Sequence, residues 1–270
     1  MDIVTRTFFK LLALGAFNEK DSMEPMSACK WRSLFRLAAM HDVMPIISLG
    51  MKNHADDFFM QVPNELPRMQ SDAKETKDTE EEDNEMLQPD HLTNPLLNFR
   101  LQNILKKSDS TEETVQLILM ILGIAKFLMN EGFPVKQLVE LGLFLRRQGD
   151  KVDFIKLQEW IKSIHMERMS QLIGELLVRL FKFEKEEIPF MTQDANNDID
   201  SIMKEIYILK SARTEKFYFS QGQKIFVQTP NSTAILWNVR HSSKYFKYCP
   251  SESFTNFFAL FTHSLSHIEE

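Results

Sequence analysis

Apolar residues recur at three- and four-residue spacing along most of this 270-residue chain. That period belongs to an α-helix with one buried face, so the pattern predicts a bundle of helices. The predicted helices follow each other in chain order over residues 3–17, 28–40, 45–51, 95–107, 115–129, 135–147, 154–164, 167–181, 198–209, 232–245 and 251–264. Plausible caps precede several of them, namely Ser27, Asn94 before Pro95, Ser110 or Thr111, and Asp153.

One segment departs from the helical period. Residues 216–229 read KFYFSQGQKIFVQT, in which two runs of aromatic and β-branched residues flank Gln-Gly-Gln. Such runs around a glycine predict a β-hairpin. The predicted fold class is therefore mainly α, a helical bundle with at most one small β-hairpin near the C-terminus.

The longest apolar run, VQLILMILGIAKFLM at residues 115–129, is apolar nearly all round. A helix of that kind is buried on every side, so we expect it at the centre of the bundle. It is shorter than the ~20 residues that span a bilayer, and it contains Gln116 and Lys126. We therefore expect no membrane-spanning segment.

A run of charged residues interrupts the apolar pattern at positions 72–85, DAKETKDTEEEDNE. Its composition cannot bury enough surface to offset the entropy of ordering it, which predicts a solvated linker. The chain thus divides into an N-terminal helical section, residues 1–69, an acidic linker, residues 70–93, and a C-terminal helical bundle, residues 94–270.

The acidic run carries eight acidic and two basic residues, so it accounts for the net charge of −6. The rest is about neutral, which argues against general nucleic-acid binding, since that needs a concentrated basic face. The pair Arg146 and Arg147 is interpreted as a solvated helix end. Two distant cysteines and no evident signal peptide favour a cytoplasmic protein.

Three segments resemble parts of a known family. Residues 31–49, WRSLFRLAAMHDVMPIISL, are similar to a W-x-x-L-x-x-L-A-x-x-H-x-V-x-P-L pattern. Residues 94–105 and 125–190 resemble helical segments that follow the catalytic domain in the same family. The family is a bacterial nucleotidyltransferase-like group, often encoded in polysaccharide gene clusters. The order and spacing of the segments carry the resemblance, which covers about two-thirds of the chain.

The resemblance implies a catalytic core with a Gly-Ser turn and two strand-borne aspartates that hold Mg²⁺. Neither motif occurs between Leu49 and Asn94, and this stretch is too short for a mixed sheet. We therefore expect a non-catalytic relative without a cofactor, which binds another protein or associates with itself. Two alternatives stay open: a residual or partner-completed Mg²⁺-dependent nucleotidyltransferase, and a helical ribonuclease of the HEPN class.

Three sets of residues are candidates for a site. Lys136, Gln137 and Glu140 stand where the family pattern has R-Q-L-x-D, which the resemblance makes a vestigial site. The other interpretation of Lys136 and Glu140 is a surface pair four residues apart on one helix. Asp198 and Asp200 form the metal candidate under the nucleotidyltransferase alternative, although acids at a helix start usually cap it.

The ribonuclease alternative depends on Arg36 and His41, in an R-x4-H spacing. A five-residue step on a helix turns the two side chains about 140° apart, so they would not readily share a phosphate. The Phe-rich segment at residues 254–261, FTNFFALF, predicts either a core helix or a docking face. Of these two, a core helix is the favoured interpretation.

Overall fold

A computed structural model gives the protein's structure and describes residues 1–53, 88–107, 110–191, 199–207 and 243–266. The described part is mainly α-helical and contains no β-strand, which confirms the predicted helical bundle. The segment predicted to form a hairpin, residues 216–229, lies outside the described residues, as does the acidic run at residues 72–85.

Ten α-helices are numbered here in chain order over the described residues. They are α1 (Ile3–Phe17), α2 (Ala28–Met40), α3 (Met44–Lys52), α4 (Pro95–Lys107), α5 (Glu112–Asn130), α6 (Val135–Gln148), α7 (Phe154–Ser163), α8 (Glu167–Phe181), α9 (Ile199–Met203) and α10 (Pro250–Ser266). Short 3₁₀ turns follow three of them, at Gly149–Lys151, Lys185–Glu187 and Lys204–Tyr207.

Local capping chemistry explains where most helices begin. The Thr111 hydroxyl accepts a hydrogen bond from the amide of Thr114 at the start of α5, and Asp153 accepts one from Lys156 at the start of α7. Asn94 accepts from the first amides of α4. Ser27 occupies the cap position of α2 without a side-chain bond. Predicted cap residues therefore precede all four helices, and α5 begins three residues before the apolar run that predicted it.

The apolar helix α5 lies at the centre of a single core. Eleven of its residues are buried, including Leu117, Ile121 and Leu128, as its all-round apolar pattern predicted. The N-terminal section joins the same core, because Phe9 of α1 packs edge-on against Phe133 and Phe181. The two helical sections predicted from the sequence thus pack against each other.

Residues 88–93, which the sequence analysis placed in the linker, belong to the folded body. Leu92 is buried, and its amide donates to the side chain of Asn98. The carbonyl of Gln88 accepts a hydrogen bond from Lys126. The polar composition of the segment did not predict these contacts, because they depend on one buried leucine and on backbone atoms.

Arg146 and Arg147 are both exposed at the end of α6, as interpreted from the sequence, and Arg146 also has partners in other elements. Its guanidinium lies 4.3 Å from the ring centre of Phe183 and 5.1 Å from that of Phe17. It also forms ion pairs with Glu19 and Glu187. The desolvated guanidinium has a raised pKa, because these carboxylates stabilise its charge more than burial opposes it. Arg146 therefore fastens the end of α1 to α6 and to the segment after α8.

Helices α1 and α3 cross at two glycines. A Cβ atom added to Gly50 would overlap the carbonyl oxygen of Leu11, and one added to Gly15 would overlap that of Ile46. The overlapping partners are backbone atoms, which cannot move aside without shifting a helix. Glycine is therefore required on both sides of this crossing.

We predict that Gly50→Ala destabilises the protein by about 3 kcal/mol, because overpacking against backbone forces the two helices apart. Gly149→Ala is the matched control, since a Cβ there would meet nothing within 4 Å. It should change the free energy of unfolding by less than about 1 kcal/mol. Chemical denaturation of both variants measures the difference, and equal stability of the two would contradict the close crossing.

Candidate functional site

The last helix, α10, is oriented with polar residues inside and phenylalanines outside. Glu252, Ser253 and Asn256 are buried on its inner side. Phe254 and Phe258 are 55% and 48% exposed on its outer side, with ring centres 4.8 Å apart. This orientation corrects the core interpretation of the Phe-rich segment for those two residues. It needs a physical cause, because burial of the phenylalanines would be favourable by itself.

The cause begins with the carboxylate of Glu252, which is fully buried. It accepts hydrogen bonds from the amide of Thr93 at 2.7 Å, from the Thr93 hydroxyl at 2.9 Å and from the amide of Asn94 at 3.0 Å. These donors lie at the N-terminus of α4, where the helix dipole favours a negative charge. Asn94 caps α4 itself, so Glu252 ties the two residues that precede the helix to α10, about 160 positions away in sequence.

A second contact fixes the next turn of α10. The side-chain amide of Asn256 donates to the side-chain oxygen of Asn130 at 2.8 Å, and the Asn130 amide donates to the carbonyl of Lys126 at 3.0 Å. The hydroxyl of Ser253 lies 3.5 Å from the sulfur of Met129. The end of α5 thus offers polar partners to the inner side of α10, and burial there leaves these groups hydrogen-bonded.

Lys126 is the largest buried polar side chain at this junction. Only 1% of its surface is exposed, and its ammonium donates to the carbonyl of Gln88 at 2.6 Å. The sequence analysis treated Lys126 only as an interruption of an apolar helix. The same lysine fixes the segment that leads into α4. It therefore helps to hold the residues that Glu252 binds.

The other reactive groups near α10 are held in unreactive forms. Burial raises the pKa of the Cys249 thiol to about 12, and the nearby negative charge of Glu252 acts in the same direction. A thiol at neutral pH with that pKa is not a nucleophile. Burial also raises the pKa of Tyr245 well above its usual value, and its hydroxyl donates to Glu205 at 2.6 Å. Neither the Cys249 thiol nor the Tyr245 hydroxyl is therefore activated, and both lie among groups that position α10.

The residues predicted as a vestigial site lie on the surface of α6. Lys136 and Glu140 are exposed, and Gln137 is half-buried. Lys136 forms an ion pair at 2.8 Å with Asp42, in the turn between α2 and α3. The hydrogen bond that Lys136 donates to Asp42 raises the pKa of Lys136, and the charge of Glu140 acts in the same direction. The structure therefore pairs Lys136 with another element, and it buries neither Lys136 nor Glu140.

The ribonuclease candidates Arg36 and His41 are not brought together. Arg36 is exposed, whereas His41 is buried at the end of α2. The Nε2 atom of His41 lies 2.7 Å from the carbonyl oxygen of Ile206, so Nε2 carries the proton and donates. Burial lowers the pKa of His41 to about 4 despite this hydrogen bond. The ring connects α2 to the segment after α9.

Of the two metal candidates, Asp198 lies outside the described residues and Asp200 is placed in the first turn of α9. Asp200 is exposed and forms an ion pair with Arg179. Within the described ranges, no group of three or more His, Cys, Asp or Glu residues could hold a metal ion. The predicted pair of aspartates is therefore seen only in part, as an arginine-paired helix start.

Comparison with known proteins gives no relative for this chain. No protein-family model, no curated protein and no solved structure matches it. No helix in the described part of the chain is both long and apolar enough to cross a membrane. The residues of α10 and their contacts are therefore the basis for a functional proposal.

We predict that Glu252→Gln lowers the free energy of unfolding by about 2–3 kcal/mol. The amide keeps the shape but has one acceptor oxygen, and its NH₂ group would face the donors at the start of α4. The control is Glu140→Gln, an exposed carboxylate on α6, which should change stability by less than about 0.5 kcal/mol. Denaturant unfolding compares them, and an equally small effect of both changes would show that Glu252 is not needed.

We also predict a loss of stability between pH 6.5 and pH 4 that depends on His41. The unfolded histidine takes up a proton below its usual pKa of 6.5, whereas the folded one stays neutral down to about 4. Stability is therefore full above pH 6.5 and falls as the pH decreases, by up to about 3 kcal/mol. His41→Gln keeps a donor for Ile206 without titrating, so its pH profile should be flatter. Parallel profiles would contradict the assignment.

Proposed function

We propose that this chain is a non-catalytic relative of the bacterial nucleotidyltransferase-like family and works as a binding or assembly module. The order of the resembling segments, residues 31–49, 94–105 and 125–190, supports the relationship. The sequence between Leu49 and Asn94 contains neither a Gly-Ser turn nor an Asp-x-Asp pair. These two facts support a scaffold that has lost the family's reaction centre.

One observation supports the binding role. Phe254 and Phe258 of α10 are exposed to solvent, while the opposite side of the same helix is held by hydrogen bonds to the body of the protein. About half of each ring is exposed, which leaves roughly 200 Å² of aromatic surface in water. Burying that surface would be favourable by roughly 5 kcal/mol. Folding does not bury it, because the inner side of α10 is occupied by Glu252 and Asn256. A partner that covers the two rings would bury this surface.

The partner that suits this surface is a protein. Nucleic acid requires cations to meet its phosphates, and α10 from Pro250 to Ser266 contains no Lys or Arg. The phenylalanines are held in place before binding, so little entropy is lost when they dock. We also propose that the protein is cytoplasmic, since both Cys29 and Cys249 are free thiols, as is usual in reducing compartments.

We predict that the double variant Phe254→Ser/Phe258→Ser folds with a modest loss of stability, below about 2 kcal/mol, because about half of each ring is already exposed and the two rings lie against each other along the helix. The comparison is Phe8→Ser, a fully buried residue of α1, which should lose at least about 3 kcal/mol. Thermal and denaturant unfolding measure both.

Two outcomes would contradict the proposed function. A loss of several kcal/mol in the double variant would make these phenylalanines part of the core. Calorimetry with nucleoside triphosphates and Mg²⁺ tests the non-catalytic part. A metal-dependent affinity that is abolished in Asp200→Asn would instead indicate a working nucleotide site.

A further inference from the structure

The short segment at residues 199–207 joins several separate parts of the molecule. It consists of the five-residue helix α9 and the 3₁₀ turn Lys204–Tyr207. A helix of that length is not stable by itself, so contacts with the rest of the protein hold the segment in place. We call residues 199–207 the latch.

The latch is attached to the core by apolar side chains and to the residues before α10 by polar ones. The Lys244 ammonium donates to the carbonyl of Ser201 at 2.7 Å and to the carboxylate of Glu205 at 2.8 Å. The Tyr245 hydroxyl donates to the same carboxylate at 2.6 Å. The apolar side chains of the latch that are buried are Ile199, Ile202, Met203 and Ile206.

Two further contacts tie the end of the latch to the N-terminal helices. The Tyr207 hydroxyl lies 2.6 Å from the Thr5 hydroxyl and donates to the carboxylate of Asp2 at 3.0 Å, at the start of α1. One residue earlier, the carbonyl of Ile206 accepts the hydrogen bond from His41 at the end of α2, at 2.7 Å. The His41 ring is 6% exposed, so the latch covers it on the side of Nε2.

The surroundings of His41 favour the neutral ring. Burial lowers the pKa of His41 to about 4, although the hydrogen bond to Ile206 acts in the opposite direction. The ring of Phe8 lies beside it, with ring centres 6.4 Å apart. Protonation would put a second proton on the ring at Nδ1 and a positive charge in this buried site. A buried charge without a partner is costly, so the protonated ring needs water.

The charged groups on the surrounding elements are bonded to other partners. Asp42, the next residue, pairs with Lys136 of α6. Burial opposes ionisation of Asp2, but hydrogen bonds from Thr5 and Tyr207 lower its pKa. Glu205 binds the residues before α10. The other charged side chains on α1, the end of α2 and the latch are exposed or paired elsewhere, namely Arg6, Lys10, Arg36, Asp200 and Lys204.

A proton taken up by His41 therefore works against the contact between the ring and the latch. When the latch moves away, the carbonyl of Ile206 no longer covers Nε2, and the ring meets water. We infer that the latch is an acid-released element, which detaches from α1 and α2 when His41 takes up a proton. The hold of the latch is full above pH 6.5 and falls as the pH decreases toward 4. This inference does not depend on the proposed binding role.

Hydrogen exchange of the full chain, followed by mass spectrometry, tests the inference. Protection factors corrected for the intrinsic effect of pH should fall about thirtyfold in the latch between pH 7.5 and pH 5, as the shifted pKa of His41 requires. At both pH values they should stay below those of α5, because the latch opens while the body is folded. Equal protection of the latch and α5 would overturn the inference, since His41 would then act only through global unfolding.

Three variants assign the effect. His41→Gln keeps a donor for Ile206 without titrating, so the thirtyfold fall should disappear, whereas His165→Gln, at an exposed histidine, should keep it. Tyr207→Phe removes the other polar contact with the N-terminal helices. It should lower protection of the latch about tenfold at both pH values and leave the fall with pH unchanged. A fall that persists in His41→Gln, or a latch unaffected by Tyr207→Phe, would overturn the inference.

Discussion

The buried carboxylate of Glu252 is the contact on which the orientation of the last helix depends. It accepts three hydrogen bonds at the start of α4, two of them from backbone amides. An isolated carboxylate could not be buried in this way, because its desolvation would be too costly. The unpaired amides of a helix N-terminus and the helix dipole supply the compensation. Each group satisfies the other, so α4 and α10 are fixed together.

Once Glu252 is placed, the helical period decides the rest of α10. Asn256, one turn later, faces inward and meets Asn130, whereas Phe254 and Phe258 are turned to the opposite side. Among the side chains of α10 that the structure describes, the buried ones are polar and the large exposed ones are phenylalanines. This is the reverse of an ordinary surface helix. It couples the stability of the fold to the availability of an apolar surface, and that coupling is the physical argument for the proposed binding role.

Several polar residues that look solvated in the sequence work as connections between elements. Arg146 lies against two phenylalanines and two carboxylates, and it fastens α1 to α6. His41 reaches the carbonyl of Ile206, and Lys126 reaches that of Gln88. Each of these side chains meets a partner that is distant along the chain. General rules about exposure of charged residues describe averages, and they cannot identify the residues that have such a partner.

The sequence by itself determined most of the described helices and the centre of the bundle. The predicted helix at residues 198–209 is a short α-helix followed by a 3₁₀ turn, and most of the predicted helix at 232–245 lies outside the described residues. Helical periodicity and capping are local, so α1, α2 and α8 begin and end at the predicted residues, and the all-round apolar α5 had to be buried. Only the tertiary structure decided which side of α10 is buried. That choice depends on Thr93 and Asn130, which lie far from α10 in sequence and come beside it only when the chain folds. Within α10 alone, the aromatic residues argue for the opposite orientation, because the free energy of the long-range hydrogen bonds is not encoded in any local pattern.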